Sequence, residues 1–556
     1  MNIRILHSHL LEHLNTKASP EDIAKYLSLC GPSVESVRKI DGDYIYDIEV
    51  TTNRVDIMSS RGIAREAAAI LPRFDIKASL KEIDTNLPRS KTPLKLTIKS
   101  DPNLVRRILA IALTDIKNTK SPSWMIKRLE AAGIRSLNAV VDITNYVMLD
   151  LGHPTHVFDY NKLLSGQLIV RESNKKECLI GLDNKTYTLK GGDIVFDNGQ
   201  GSIIDLPGVL GTKNTVVDDT TKSILFFVDN IDPVHIRKTS MSTGIRTMAA
   251  IINEKGVDPY LGQEAIIKGV HLYQEICGAT IISKIYDNFP KPPKKQQIKV
   301  DKTKIDQLLG VNLPKANILN YLTSLGFLSQ WNKDTLLVTP PTWRTNDVKI
   351  SEDVIEEIAR IEGYHNLPSL LMAGLLPEKI KTPNILFNAL DSVKQELQKL
   401  GGIEVYTLAL VGKVQAGNNA VKLKNPLGSD TEYMRTSLKP SLQKVLEDNL
   451  HATEPFHIFE IANIYHKKAG DLPTEELTLA GIIKGHNFRV GKGILEHFLG
   501  SQFSAYSLKP SSKQALTISV ANEKIGTIDA TDTGRIYYEL NINQFLRHIN
   551  KIKTIN

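Results

Sequence analysis

Apolar residues recur at helical spacing through residues 19–31, "SPEDIAKYLSLCG", where Ile23, Tyr26, Leu27 and Cys30 make one stripe. Ser19 supplies a capping hydroxyl, Pro20 suits the first turn, and Glu21 and Asp22 sit at the positive helix end. Gly31 is a natural stop. The β-rich run "DYIYDIEV" leads into "NRVD", and a second helix is predicted from about Ser60, with Ala64, Ala67, Ala68 and Leu71 on one side. From about Pro93 to Tyr286, strand-like runs ("LKLTIKS", "ILAIALTDI", "QLIVRES", "SILFFVDN") mix with helical ones ("PSWMIKRLEAAGI", "GQEAIIKGVHLYQEICG"). That mixture predicts an α+β domain.

The clearest break is "NFPKPPKKQQ" at 288–297. Its prolines exclude a helix or central strand, and its lysines make it an extended basic connector. Two short helices ("KTKIDQLLG", "PKANILNYLTSLGF"), a strand ("TLLVTPPTW") and an acidic helix from about Ser351 then form a compact unit. A further helix at 384–400 carries Ile385, Leu386, Leu390, Val393, Leu397 and Leu400 as a stripe suited to bundle packing. It introduces a last α/β-looking region.

A chain of 556 residues is too long for one core and implies about three or four domains. With 41% hydrophobic and 23% charged residues it has the make-up of a soluble globular protein. No run of about 18 apolar residues suggests a membrane span, and the charged start "MNIRILHSHLLEHLN" is unlike a secretory signal. Cys30, Cys178 and Cys277 are far apart and lack metal-ligand spacing, so they read as reduced thiols of a cytoplasmic protein. The net charge of +8 is compatible with a polyanionic partner but is diluted over this length. Nucleophile elbow, P-loop, HExxH and GxGxxG motifs are all missing.

The acidic helix raises a sharper question. Asp353, Glu356, Glu357 and Arg360 fall on one face, Val354, Ile355, Ile358 and Ile361 on the other, and Asp347 stands just upstream. Periodicity alone makes the acids a solvated face. Glu356 and Glu357 diverge by ~100°, so one of them is placed to hold Arg360 or a partner, and Arg344 is placed to pair with Asp347.

Several long segments follow one another in a telling order: "IEVTTNRVDIMSSRGIAREAAAI", "LNAVVDITNYVMLDLGHPTHVFDY", "EKGVDP", "PTWRTNDVKISEDVIEEIARIEGYHNLP", "NPLGSDTEYMRTSLKPSL" and "FHIFEIANIY". The series resembles the β subunit of bacterial-type phenylalanyl-tRNA synthetase. The resemblance implies a multidomain α+β fold: an N-terminal α/β domain at 1–85, an editing-type domain at 86–287 and the linker at 288–297. It continues with a small, helix-rich, winged-helix-like domain at 298–370 and a degenerate class II synthetase-like antiparallel sheet with helices at 380–556. It also implies a reduced form. "SVESVRKIDGDYIYDIEV" leaves only a tight turn where the family inserts an OB-fold, and "NINQFLRHINKIKTIN" leaves no space for the C-terminal anticodon-binding domain.

By the same resemblance, Asp347, Asp353, Glu356 and Glu357 fall on magnesium-ligand positions, and carboxylate oxygens suit that hard cation. Thr144, Asn145, His156, Gly211, Thr247 and Ala249 fall on the pocket that hydrolyses tyrosine mischarged on tRNA-Phe. The family's glutamate for the tyrosine hydroxyl is replaced by Phe227, whose ring accepts no hydrogen bond, at a cost of roughly 1–3 kcal/mol. Ile252 stands where relatives often carry arginine, and Ile251 or Ile252 is expected beneath the "SILFFV" strand. Editing is therefore expected to be impaired. Arg435 resembles an ATP-binding arginine of catalytic relatives, but a structural role is expected, with ATP and phenylalanine bound by the α subunit. The implied role is the β subunit of phenylalanine–tRNA ligase (EC 6.1.1.20), cytoplasmic, in a tetramer of two α and two β chains that uses ATP and magnesium and binds tRNA-Phe. The rival is a stand-alone tRNA-binding or regulatory protein derived from it.

Overall fold

The computed structural model describes residues 1–549 except 88, 164–165, 295, 370–373, 375–384, 450, 452–454, 513 and 531–533. The chain divides into two units, 1–371 and 372–556. The expected boundary between 370 and 380, and Asn384 at the expected helix start, lie outside the described residues.

The first unit opens with the antiparallel sheet Asn2–Leu6, Asp43–Glu49, Ser33–Ile40, the second of these in the middle. Asp41 and Gly42 join the last two strands, both at positive φ (46° and 85°), as a two-residue hairpin turn requires. That join holds no inserted domain. The expected helices form at Pro20–Cys30 and Ser60–Ile70. Ser19 caps the first by accepting from the Asp22 amide, as its sequence predicts.

Residues near 300–364 build a second small sheet, Ile298–Asp301, Thr335–Thr339, Leu328–Asn332, with helices Lys302–Leu309, Lys315–Ser324 and Ser351–Glu362. One apolar cluster runs from Ile3 and Leu10 through Ile63 and Ala67 to Ile305, Val354, Ile358 and Ile361. The segments 1–85 and 298–370, expected as separate domains, therefore share a core.

Between them lie two five-stranded sheets. One runs Leu210–Gly211, Ile203–Leu206, Ile194–Asp197, Gln167–Glu172, Thr97–Lys99. The other runs Thr280–Ile281, Val105–Thr114, Ile224–Ile231, His156–Asp159, with Tyr286–Asn288 also on Val105–Thr114. Strand Ile224–Ile231 is buried along its whole length. Ile224, Phe226 and Val228 join a core with helices Ala139–Leu151 and Leu261–Cys277, while Leu225, Phe227 and Ile231 point into the core of the other sheet. Burial on both faces explains why "SILFFV" shows no alternation.

The second unit is a seven-stranded sheet in the order Gly402–Glu404, Phe456–His466, Thr474–Lys484, Ile536–Asn541, Glu523–Ala530, Ala515–Val520, Ser507–Ser512. Only the first pairing is parallel. Helices Ile385–Lys399 and Phe488–Gln502 place Val393, Leu397, Leu495 and Phe498 in its core. Among the described residues, no helix is long and apolar enough to cross a membrane.

Candidate functional site

The acids of the helix Ser351–Glu362 do not share one environment. Glu357 is 3% exposed and Arg360 7%, whereas Glu356 is exposed. The amphipathic pattern misplaces them because the helix is covered on two sides, by its own small domain and by the helices Pro20–Cys30 and Ser60–Ile70.

Arg344 donates from Nη1 and Nη2 to Glu357 at 3.0 and 2.7 Å and from Nε to Asp347 at 3.1 Å. Arg360 donates from Nε and Nη2 to Glu357 Oε2 at 2.9 and 2.6 Å, and from Nη1 to Glu66 Oε2 at 2.7 Å. Arg54 donates from Nη2 to Glu66 Oε1 at 2.6 Å and from Nε to Asp56 at 2.9 Å. The result is an alternating ladder, Asp347–Arg344–Glu357–Arg360–Glu66–Arg54–Asp56, buried along most of its length. Burial pushes the Glu357 carboxyl up, but Arg360 and Arg344 outweigh it and hold its pKa down to about 2. For Asp347 burial wins over Arg344, and its pKa is raised.

The ladder bears directly on magnesium. Asp353 does not turn toward the other acids: its Oδ2 accepts from the amides of Lys349 and Ile350 at 2.7 and 3.0 Å, closing its own helix start. Asp347, Asp353, Glu356 and Glu357 do not form a set of three donor atoms within 4.8 Å of one another. Two guanidinium groups stand inside the cluster, where they repel a cation. As arranged, the four carboxylates do not fit a shared Mg²⁺. The pairing of Arg344 with Asp347 and of Arg360 with one glutamate follows the sequence expectation. Arg54, Asp56 and Glu66 were not foreseen; the one signal was Glu66 standing alone in "REAAAI".

The other expected site lies where the two five-stranded sheets meet. His156 is the cross-strand partner of Phe227. Its ring packs edge-on against Phe158 at 4.4 Å, and burial pushes its pKa down to about 4, so it is neutral at pH 7. A Cβ on Gly211 would sit 2.9 Å from His156 Cε1, so any larger residue here would have to displace the imidazole. Thr144 lies close by, its carbonyl accepting from Thr155 Oγ1 at 3.2 Å, and Asn145 follows it, half-buried. Thr247 caps the helix Met248–Asn253 and donates to the Val209 carbonyl at 2.7 Å, two residues before Gly211. Ala249 differs, packing against the N-terminal core. Ile251 and Ile252 join that same core and do not lie beneath the "SILFFV" strand, because it is Ala250 of their helix that packs with Leu225 and Phe227. Phe227 is fully buried between Phe158 and Phe196, with ring centroids at 5.7 and 5.4 Å.

Sequence reasoning missed two acids here. Asp205 Oδ1 and Asp229 Oδ2 are buried without a hydrogen-bond partner. Burial pushes Asp229 up to about 7; burial and the charge of Asp229 push Asp205 well above the carboxylate range. Because the folded-state pKa of Asp229 exceeds its unfolded value of 3.8, its contribution to stability is complete below pH ~4 and is lost as pH rises to about 7. Asp229→Asn is therefore expected to stabilise the protein by ~4 kcal/mol at most at pH 8 and hardly at all at pH 4. Urea denaturation at the two pH values checks this.

Three family descriptions match in order: "B3/4 domain" at residues 104–278, "tRNA synthetase B5 domain" at 298–364 and "Phenylalanyl tRNA synthetase beta chain CLM domain" at 367–528. Curated relatives carry the name phenylalanine–tRNA ligase beta subunit. The phenylalanine–tRNA ligase beta subunit of Carboxydothermus hydrogenoformans is 32% identical over 469 residues, 82% of this chain and 58% of that protein. That of Clostridium tetani is 32% identical over 84% of this chain and 60% of its own length. The chain belongs to the phenylalanine–tRNA ligase beta-subunit family. It spans less than two thirds of those relatives' lengths. In family terms, the ion-pair ladder joins the B5 domain to the N-terminal segment, and the His156–Gly211–Phe227 group lies inside the B3/4 domain.

Proposed function

We propose that this chain serves as the β subunit of a phenylalanine–tRNA ligase (EC 6.1.1.20), supporting attachment of phenylalanine to tRNA-Phe by an α partner in a cytoplasmic tetramer of two α and two β chains. The observation that carries this reading is the ordered match of B3/4, B5 and β-chain domains along one polypeptide.

The second unit supports a non-catalytic role. Arg435, the residue resembling an ATP-binding arginine, is 3% exposed and already committed. It donates to the Asn463 carbonyl at 3.0 Å, to Thr407 Oγ1 at 2.8 Å and to Glu460 at 3.2 Å. A guanidinium whose Nε and Nη1 are both bonded inside the fold braces the degenerate class II-like sheet. The same unit exposes Tyr406, Leu408, Val414, Leu427 and Leu472, large apolar side chains suited to a protein partner. The small sheet with its three helices fits the winged-helix-like reading. Magnesium belongs to the proposed reaction with ATP. At Asp347, Asp353, Glu356 and Glu357 the arginines already occupy both Glu357 oxygens, so the cluster as arranged is not offered to a cation.

Within the editing-type domain, His156 is a neutral imidazole able to orient a water or ester, and Phe227 leaves a tyrosine hydroxyl without an acceptor. This supports weak or lost hydrolysis of Tyr-tRNA-Phe. Co-expression with the cognate α chain tests the proposal as a whole. A co-purifying tetramer that phenylalanylates tRNA-Phe, with neither chain active alone, is the expected result. Failure to co-purify overturns it in favour of a stand-alone tRNA-binding or regulatory protein.

A further inference from the structure

A second cluster of chemistry-bearing residues lies away from both sites. His9 and His13, four residues apart, share one face of the helix His7–His13 and are 1% and 4% exposed. Asp150, fully buried, meets them from the helix Ala139–Leu151. His9 Nε2 and His13 Nε2 lie 2.8 and 2.6 Å from the same oxygen, Asp150 Oδ1. The other oxygen, Oδ2, is buried and has no hydrogen-bond partner; Lys268 Nζ approaches it at 3.4 Å. Donor atoms of His9, His13 and Asp150 all lie within 4.8 Å of one another, and among the described residues no other three His, Cys, Asp or Glu side chains do so.

The arrangement is lopsided for hydrogen bonding alone. Two imidazoles crowd one carboxylate oxygen while its twin accepts no hydrogen bond and has only the Lys268 ammonium at 3.4 Å. A metal ion resolves this, because both Nε2 atoms and either or both oxygens then point at a single centre.

We propose that His9, His13 and Asp150 form a structural site for a divalent late transition metal, with Zn²⁺ the best match, pinning the N-terminal helix to the B3/4 domain. Two imidazole nitrogens and a carboxylate are standard zinc donors, and two histidines separated by three residues on a helix are a common zinc pair. With bonds of about 2.0–2.1 Å, donors around tetrahedral zinc stand about 3.3 Å apart. The observed 2.6–2.8 Å spacings need to open only by about half an ångström. Lys268 pairs with the carboxylate, and its side chain is 35% exposed, so it swings outward as the ion enters; Arg61 also feels the Asp150 charge but is drawn to Glu264 as well. Arg128 is taken up by Glu12 at 2.6 Å and by the Tyr146 hydroxyl at 2.8 Å.

The segment His9-Leu10-Leu11-Glu12-His13 also reads as H-x-x-E-H, the order found in one class of zinc hydrolases. Hydrolysis is not the role here. Glu12 is bound by Arg128 and Tyr146, so it is not free as a general base, and the ligands are closed from solvent.

The test uses the full chain, stripped with chelator and titrated with Zn²⁺ and Co²⁺. One equivalent of zinc, a rise in melting temperature and the visible bands of tetrahedral cobalt are expected. His13→Ala and Asp150→Asn should each weaken zinc binding about 100-fold or more. His7→Ala should leave it intact, since His7 bonds the Tyr46 hydroxyl instead. Where a ligand variant fails to fold, X-ray absorption on the zinc-loaded wild-type chain decides by counting imidazole ligands. Substoichiometric zinc in the wild type, binding unchanged in folded His13→Ala and Asp150→Asn, or a zinc shell without two imidazoles overturns the proposal.

Discussion

Glu357→Ala is expected to destabilise the first unit by ~3–5 kcal/mol, the usual cost of removing one partner from a buried ion pair. The reason is positional. Glu357 accepts from both Arg344 and Arg360, so its removal leaves two buried guanidiniums facing each other. Glu66 still holds Arg360, and Asp347 still holds Arg344, but neither covers the gap between them. Glu356→Ala, one position away and exposed, is expected to change stability by less than ~0.5 kcal/mol. A shared metal site predicts the opposite pattern: comparable losses for both glutamates, present with magnesium and gone in chelator. The ladder predicts a Glu357 loss that magnesium does not alter. The pH dependence has a definite sign. Glu357 is held near 2 from an ordinary 4.5, so its contribution is present above pH ~4.5 and fades as pH falls toward 2. The gap between wild type and Glu357→Ala should close over that acid range. Chemical denaturation with and without magnesium measures all of this.

How much of this was legible in the chain depends on how far apart the interacting groups lie. The helix Ser351–Glu362 and its apolar side were readable from spacing, as was the Ser19 cap. Each is decided by residues within a few positions. The burial of Glu357 was not readable, because its environment is completed by Glu66 and Arg54, and Glu66 stands 294 residues before its partner Arg360. Periodicity shows which side of a helix is apolar but not whether the polar side meets water or another domain. The same limit hid Asp150, whose histidine partners lie 137 and 141 residues away. It also sent Ile252 to the wrong core, since adjacent apolar positions on a short helix serve whichever cluster the helix leans on. Family resemblance located the B3/4 group, yet it transferred residue positions and not side-chain directions. His156, Gly211 and Phe227 do lie together; Ala249 points elsewhere.

Phe227→Glu, which puts back the family's residue, is expected to damage the protein without repairing its pocket. Phe227 is sealed between Phe158 and Phe196, and Leu225 and Ile231 enter the same core from its strand. A glutamate there loses the aromatic packing, a loss worth ~3–5 kcal/mol for a buried phenylalanine. It must also desolvate a carboxyl. Its nearest prospective partner, His156 across the ladder, is held neutral by burial and offers no compensating charge. Asp229, two residues along the same strand, already has one oxygen without a partner and protonates near 7, which shows how this interior treats a carboxylate. The introduced carboxyl should behave likewise, staying protonated at neutral pH and donating its proton where the tyrosine hydroxyl needs an acceptor. The expected result is a strongly destabilised variant whose α-containing complex hydrolyses Tyr-tRNA-Phe no faster than wild type. A stable Phe227→Glu complex with fast hydrolysis, abolished by adding His156→Ala, would show instead that position 227 lines a working pocket. Editing would then have been lost through that single side chain.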